Sequence, residues 1–328
     1  MTAFDIFQRR IPVNRRTALQ SLVYFGGLAA FEGMGWAQDK PGRPKLKLPD
    51  ASGMPIRSQE LAPGLHLITG PGGNIAAIVE PEGVALIDSN VPFKAAELKA
   101  AVSRLSDRPV RFLLNTHWHF DHTGGNEIFG KSGTVIIAHQ NCRKRLANEQ
   151  TIAFLDMKFP PSPKAALPVI TFGDTATVHH GDTVIEAVHV PSAHTDTDVS
   201  YRLPRFDVLH AGDLFINGFY PLIDYSTGGD LGGWIVGLKK VLEMAGPKTQ
   251  IIPGHGPMAK KSDLIAFLEM LTQVRDRIKP LIEKGKSLQE VIAAKPTQPL
   301  DDKWGKNVFT PDIFVQMIYE GETGKKSK

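Results

Sequence analysis

The sequence predicts an α/β fold in which helices cover both outer faces of two packed β-sheets, with further helices at the C-terminus. Short apolar runs rich in β-branched residues are bounded throughout by Gly, Pro and Asn. Two such β-rich halves follow one another, each closed by segments of helical spacing, and no repeat of fixed period links them. With 328 residues, 42% hydrophobic and 22% charged, the chain can bury one sizeable core and lacks a disorder-like composition.

Residues 1–37 read as an address. A charged stretch ending in Asn14-Arg15-Arg16-Thr17-Ala18-Leu19 precedes the apolar run Leu22 to Phe31, and Gly35-Trp36-Ala37 offers small residues where a signal peptidase reads. The run is shorter than the roughly 20 residues that span a bilayer, so no stable membrane insertion is expected. Paired arginines resemble a twin-arginine export signal, with Ala18 where that pattern prefers Phe and Gln20 where it often has Lys. The expectation is a periplasmic protein cleaved after Ala37; the general secretory route and a basic tail on a cytoplasmic protein are the alternatives. Arg9, Arg10, Arg15 and Arg16 against Asp5 and Glu32 supply half of the net charge of +4. The remainder is close to neutral, so no nucleic-acid partner is expected. Cys142 is the only cysteine, which excludes an internal disulfide and a four-cysteine zinc site. Any metal must be held by His and carboxylate.

Residues 38–60, with Pro41, Pro44, Pro49 and Pro55, read as an extended leader. A domain over 61–260 follows. Strands are expected at Leu65–Thr69, Asn74–Glu80, Gly83–Asp88, Arg111–Asn115 and Thr134–Ala138, each short, apolar and bounded by turn residues. Lys94–Leu105 places Leu98, Val102 and Leu105 on one helical side. The second half gives strands near 175–179, 183–190, 199–203, 207–210 and 250–252, with a helix from Asp230 to Met244. A helical extension over 261–328 begins with a long helix from Ser262 to about Lys284. It continues with Ser287–Ala294 and Pro311–Glu320 and ends in a Lys-rich stub. Gly70-Pro71-Gly72-Gly73-Asn74 reads either as a mobile flap or as a plain hairpin turn.

The chemistry concentrates in Asn115-Thr116-His117-Trp118-His119-Phe120-Asp121-His122, directly after an apolar strand. Three His and one Asp so close together do not suit a core, where each imidazole would need its own partner. On an extended segment His117 and His119 point to one side, while Asp121 and His122, at the turn into a helix, face a second point. One loop thus offers ligands to two metals. Three later segments supply what such a site would still lack: His194 after the strand ending at Val190, Asp213 beside Gly212, and His255 bracketed by Gly254 and Gly256. Each lies at a strand end, where a rigid scaffold presents function. His66, His139, His179, His180, His189 and His210 have no ligand-like setting and read as structural, His210 being the first exception to consider. Trp118 and Phe120 read as packing around the loop, with a direct substrate role as the alternative.

In this order, His-x-His-x-Asp-His, a lone His, a Gly-Asp and a Gly-His-Gly resemble the metallo-β-lactamase superfamily over about residues 61–260. The resemblance implies an αββα sandwich with two metals at the sheet edge. His117, His119 and His194 would hold the first, Asp121, His122 and His255 the second, and Asp213 would bridge them. This donor mix suits two zinc ions; iron and manganese share the donor types. Two ions about 3.5–4 Å apart lower the pKa of a shared water towards about 7, giving a hydroxide nucleophile oriented by Asp121. No Gly-x-Ser-x-Gly elbow competes for the nucleophile's role.

Departures from the family's branches narrow the expected small-molecule substrate. The common zinc β-lactamases carry Cys where this chain has Asp213, and a carboxylate-binding Lys where it has Ile216. Such a charge-assisted contact is worth about 1.5–3 kcal/mol. His194-Thr195-x-x-Asp198-Val199 and Asp230-Leu231-x-x-Trp234 look more lactamase-like, whereas Asp213 is the glyoxalase II-like feature. The leading expectation is an exported hydrolase of an ester, lactone or thioester. A β-lactamase, a mononuclear-iron persulfide dioxygenase using only the first metal site, and a non-catalytic metal-binding module are the alternatives.

Overall fold

The structure, a computed structural model, describes residues 50–324. The expected signal peptide, most of the leader and the last four residues lie outside the described residues. The first half forms β1 (Arg57–Ala62), β2 (Leu65–Thr69), β3 (Ile75–Glu80), β4 (Gly83–Ile87), α1 (Ala95–Leu105) and β5 (Val110–Leu114). It continues with α2 (Phe120–Thr123), α3 (Asn126–Gly130), β6 (Val135–His139), α4 (Gln140–Leu146), β7 (Gln150–Ile152), β8 (Met157–Phe159) and β9 (Ile170–Phe172). The second half forms β10 (Thr175–His180), β11 (Thr183–His189), β12 (Val199–Leu203), β13 (Val208–Ile216), α5 (Leu231–Met244), β14 (Gln250–His255) and β15 (Ala259–Lys260). The chain closes with α6 (Lys261–Glu283), α7 (Leu288–Ala293), α8 (Asp301–Trp304) and α9 (Pro311–Thr323).

A seven-stranded sheet has the order β1-β2-β3-β4-β5-β6-β9, and a six-stranded sheet the order β10-β11-β12-β13-β14-β15. Side-chain alternation assigns the layers. In β3, Ala76 and Ile78 enter the core between the sheets, against Ile185, Tyr201 and Ile252 of the second sheet. Ile75 and Ala77 face the opposite way, onto Leu98 and Val102 of α1. The outer face of the second sheet, with Leu209 and Ile251, packs on Trp234 of α5, Phe267 of α6 and Phe314 of α9. Both faces of the central strands are therefore covered, which is why β3 and β4 read as near-continuous apolar runs, while the edge strands β1 and β10 keep exposed residues. The layers run helix, sheet, sheet, helix, and the C-terminal helices share the core of the second sheet.

The edge that carries the His and Asp segments follows from strand direction. Strands β4, β5 and β6 are mutually parallel, so the loops after them emerge at one end of the first sheet. In the second sheet β13 and β14 are likewise parallel. Asp230 caps α5 by accepting from the Gly233 amide at 2.6 Å.

Three differences from the sequence reading have physical reasons. Arg57–Ala62, partly read as leader, pairs antiparallel with β2 although its residues are mostly exposed, because an edge strand needs no second apolar face. Strand β13 runs on to Ile216, beyond the expected 207–210, since Ala-Gly-Asp continues the strand across an irregular register with β14. The β7–β8 hairpin, between α4 and β9, carries too short an apolar signal to be read in advance.

Candidate metal centre

The seven expected residues meet at one point. His117 and His119 follow β5, Asp121 and His122 occupy the first turn of α2, and His194 lies on the loop after β11. Asp213 sits within β13 and His255 ends β14. The donor atoms of His117, His119 and His194 lie within 4.8 Å of one another, as do those of Asp121, His122 and His255. Asp213 stands between the trios. Its Oδ2 is 3.4 Å from His194 Nε2 and 3.9 Å from His117 Nε2, while Oδ1 is 3.1 Å from His122 Nε2 and 3.5 Å from His255 Nε2. One carboxylate oxygen therefore serves each trio.

The outer nitrogens decide what the inner ones can do. His194 Nδ1 donates to the Leu222 carbonyl at 2.8 Å, and His119 Nε2 donates to Asp224 Oδ2 at 3.1 Å. His122 Nδ1 donates to Asp88 Oδ2 at 2.7 Å. Thr116 Oγ1 gives its own proton to Asp88, so it accepts from His117 Nδ1 at 3.0 Å. In their neutral forms these four rings present bare lone pairs to the interior. His194 Nε2 and His119 Nδ1 face each other at 2.9 Å, and buried His117 Nε2 has no hydrogen-bond partner. Two lone pairs so close repel, and a buried nitrogen without a partner is costly. A cation between them removes both penalties, and acceptors behind the rings are the usual support of metal-bound imidazoles. The donor set fits a pair of divalent ions.

Electrostatics divide the trios. Burial, then the neighbouring His122, holds the His117 imidazole well below its usual range. Burial and His119 bring His194 down to about 4. Burial also opposes charge on His122 and His255, but the carboxylates of Asp213 and Asp121 outweigh it, raising His122 well above its usual range and His255 to about 9. Burial pushes the Asp213 carboxyl up, but His255 and His122 overcome that and hold it well below the usual range.

Local backbone chemistry locks the loops. Asp88 and Asn90 have φ of 69° and 59°, a left-handed region that Asp and Asn tolerate better than most residues. This turns the Asp88 carboxylate onto the Thr116 amide at 2.7 Å and sets Asn90 Oδ1 on the Gly72 amide at 3.1 Å. Gly70–Asn74, the connection between β2 and β3, is tied to the metal-loop side and to β14: its Gly73 amide donates to the Asp121 carbonyl, and the Asn74 side chain donates to the Pro253 and Gly256 carbonyls. A Cβ at Gly73 would overlap the His122 ring, and one at Gly254 the Asp213 carboxylate. Asp198 organises the His194 loop, accepting from the amide and hydroxyl of Thr195 at 2.8 and 2.7 Å.

His210 is not a ligand candidate: Nε2 donates to the Asn74 carbonyl and Nδ1 accepts from the Gly212 amide. Trp118 is buried and donates from Nε1 to Thr227 Oγ1, while Phe120 stacks on Phe159. Sequence reasoning gave no role to Asp88 or Asp224 and named Asp198 only as part of a lactamase-like stretch. The first had a signal, an acid directly ending an apolar strand; Asp224, on an irregular loop, had none.

The comparisons agree with this geometry. The model of the metallo-beta-lactamase superfamily matches residues 68–255. A hydroxyacylglutathione hydrolase of Erythrobacter litoralis is 26% identical over 251 residues, 71% of this chain and 84% of that protein. A type 2 metallo-beta-lactamase of Bacillus cereus is 22% identical over 191 residues, 58% of this chain and 69% of that protein. Among solved structures, a metallo-beta-lactamase from Pontibacter korlensis superposes with a TM-score of 0.56 at 21% identity, covering 66% of this chain and 99% of that one. The chain belongs to the metallo-β-lactamase superfamily of hydrolases, and its edge cluster of His and Asp can bind metal.

Proposed function

We propose that this protein hydrolyses a small-molecule ester, lactone or thioester with two divalent ions, zinc in preference. His117, His119 and His194 would hold the first ion and Asp121, His122 and His255 the second, with Asp213 placed between the two trios. The observation that carries this reading is the convergence of imidazole lone pairs whose outer nitrogens are already bound to acceptors. When bound, the ions supply Lewis-acid chemistry, activating water at neutral pH and polarising the acyl carbonyl.

The chain's own residues do the rest. The Asp121 side chain is 14% exposed, against 4% or less for the other six candidate ligands, so it meets solvent first. Its carboxylate, 3.1 Å from His255 Nε2, would orient the attacking water. Asp224, Asp88 and the Leu222 carbonyl fix the tautomers that keep the inner nitrogens available. Water adds to the acyl carbon, the C–O or C–S bond breaks, and the leaving group takes up the proton. The export reading of residues 1–37 and a periplasmic location belong to this proposal.

A β-lactam substrate is the second reading, supported by the Bacillus cereus relative. Ile216 weighs against it, because that side chain is 1% exposed within the core and supplies no cation. The test is hydrolysis of an acyl thioester, an aryl ester, a lactone and a chromogenic cephalosporin by zinc-loaded protein, with a chelator control. Chelator-sensitive kcat/KM above about 10⁴ M⁻¹s⁻¹, within the ordinary enzyme range, is expected for one of the first three. Faster turnover of the cephalosporin makes the second reading correct. No turnover of any substrate by protein holding two ions overturns the proposal.

A further inference from the structure

Beside the metal loop lies a cavity of about 220 Å³ that the centre itself does not use. Its walls include Trp118 and Phe120 from between the candidate ligands, Leu146 from α4, and Phe159, Pro160 and Pro161 from the β7–β8 insertion. Phe159 is the hinge of this arrangement. Its ring stacks on Phe120 at 5.3 Å and 20°, and meets Trp118 edge-on at 5.7 Å and 83°. The indole of Trp118 is buried and donates to Thr227 Oγ1 at 3.1 Å, which sets the orientation of the cavity floor. The prolines restrict the outer wall before any ligand arrives.

The charged groups at the cavity already have partners. Arg145 is held in a two-pronged pair with Asp196, at 2.7 and 2.8 Å. Glu127 pairs with Lys131 at 2.6 Å. An anionic ligand would find no spare cation here, whereas an uncharged apolar group finds aromatic and proline surfaces. An apolar cavity of about 150 Å³ accepts benzene, so this one has room for an aryl ring with a substituent or for a medium-length acyl chain. The cavity and the metal edge are contiguous in the chain: half-buried Phe120 lines the first, and the next residue, Asp121, is the solvent-touching carboxylate of the second.

We propose that this cavity seats the uncharged apolar acyl or aryl group of the molecule hydrolysed at the metal edge, and so makes the enzyme selective for such substrates. The proposal rests on the hydrolase reading for its catalytic half, while binding of the apolar group stands apart from it. Two measurements separate them. The first is binding of a neutral fluorescent probe, N-phenyl-1-naphthylamine, to metal-free and zinc-loaded protein. The second is the ratio of kcat/KM for octanoyl and acetyl thioesters.

The expected result is a probe dissociation constant in the micromolar range in both forms, raised at least tenfold by Ser162→Trp, which fills the cavity from its half-buried rim. The octanoyl-to-acetyl ratio should exceed ten and fall at least tenfold in the same variant. Phe159→Ala, which widens the cavity, should shift the preference towards longer chains, and melting curves establish that both variants are folded. Probe binding unchanged by Ser162→Trp in folded protein overturns the proposal, as does an acyl preference that neither variant alters. If no thioester or ester is turned over but the probe binds and Ser162→Trp expels it, the hydrolase reading fails and the binding site stands.

Discussion

The five histidines around Asp213 and the pair His139–His189 use the same side chain at or just beyond strand ends, yet their nitrogens are arranged in opposite ways. In the first group the rings are edge-on or tilted to one another, with centroids 4.2–5.2 Å apart along His119–His194, His117–His122 and His122–His255. Acceptors behind four of those rings turn their lone pairs inward. In the second group the rings lie parallel, 3.6 Å apart at 8°. His139 Nδ1 accepts from the Asn141 amide at the start of α4, and His189 Nε2 donates to the Asp196 carbonyl. Nothing converges. Histidine density alone does not make a metal site; the partners of the outer nitrogens do.

That comparison can be sharpened first at Asp224, which holds His119 through its side chain and binds the His194 carbonyl through its own amide. Asp224→Asn keeps the shape but weakens the acceptor that sets the His119 tautomer. Metal affinity at the first trio should fall by about 10–100-fold, the usual effect of removing such support, with the second trio less affected. Cobalt substitution followed by titration against a chelator, read by absorption, resolves the two sites. Equal weakening of both would deny that the trios are separately supported.

A smaller effect is expected at the stacked pair. Burial, then the adjacent His189, brings His139 down to about 4. Burial also lowers His189. The unfolded chain, with an ordinary value near 6.5, therefore binds more protons between about pH 6.5 and 4. The stack's contribution is complete above that window and is lost as pH falls through it. His139→Phe removes the titration and keeps a ring on His189, but costs the α4 cap about 1 kcal/mol. The variant should melt slightly lower at pH 7.5 and lose less Tm on going to pH 4.5, with unchanged metal content. A steeper acid dependence in the variant would refute the assignment.

Much of this was legible in advance. Strands β2, β10, β11 and β12 appear within a residue or so of where the sequence placed them, because β2 and β12 are short and largely buried while β10 and β11 keep the period-two alternation of a half-buried strand. The seven clustered residues were legible from the dense His-x-His-x-Asp-His run, with His194, Asp213 and His255 picked out by their strand-end positions and by the family pattern they complete. The supporting acids were not. Asp224 lies 105 positions from the histidine it holds, on a loop whose sequence has no periodicity. The β7–β8 insertion escaped for another reason: three-residue strands carry too little pattern to distinguish from loop. What the sequence hides is long-range pairing of polar groups, which only the folded chain brings together.

The central claim is that one edge of the sandwich holds two ions spanned by Asp213. Metal counting by mass spectrometry on zinc-reconstituted, desalted protein, alongside Asp213→Ala, tests it most directly. The account predicts two equivalents of zinc in the native protein and a loss of at least one in the variant. A single equivalent in the native protein, unchanged by Asp213→Ala, would contradict it and favour a one-metal site at His117, His119 and His194.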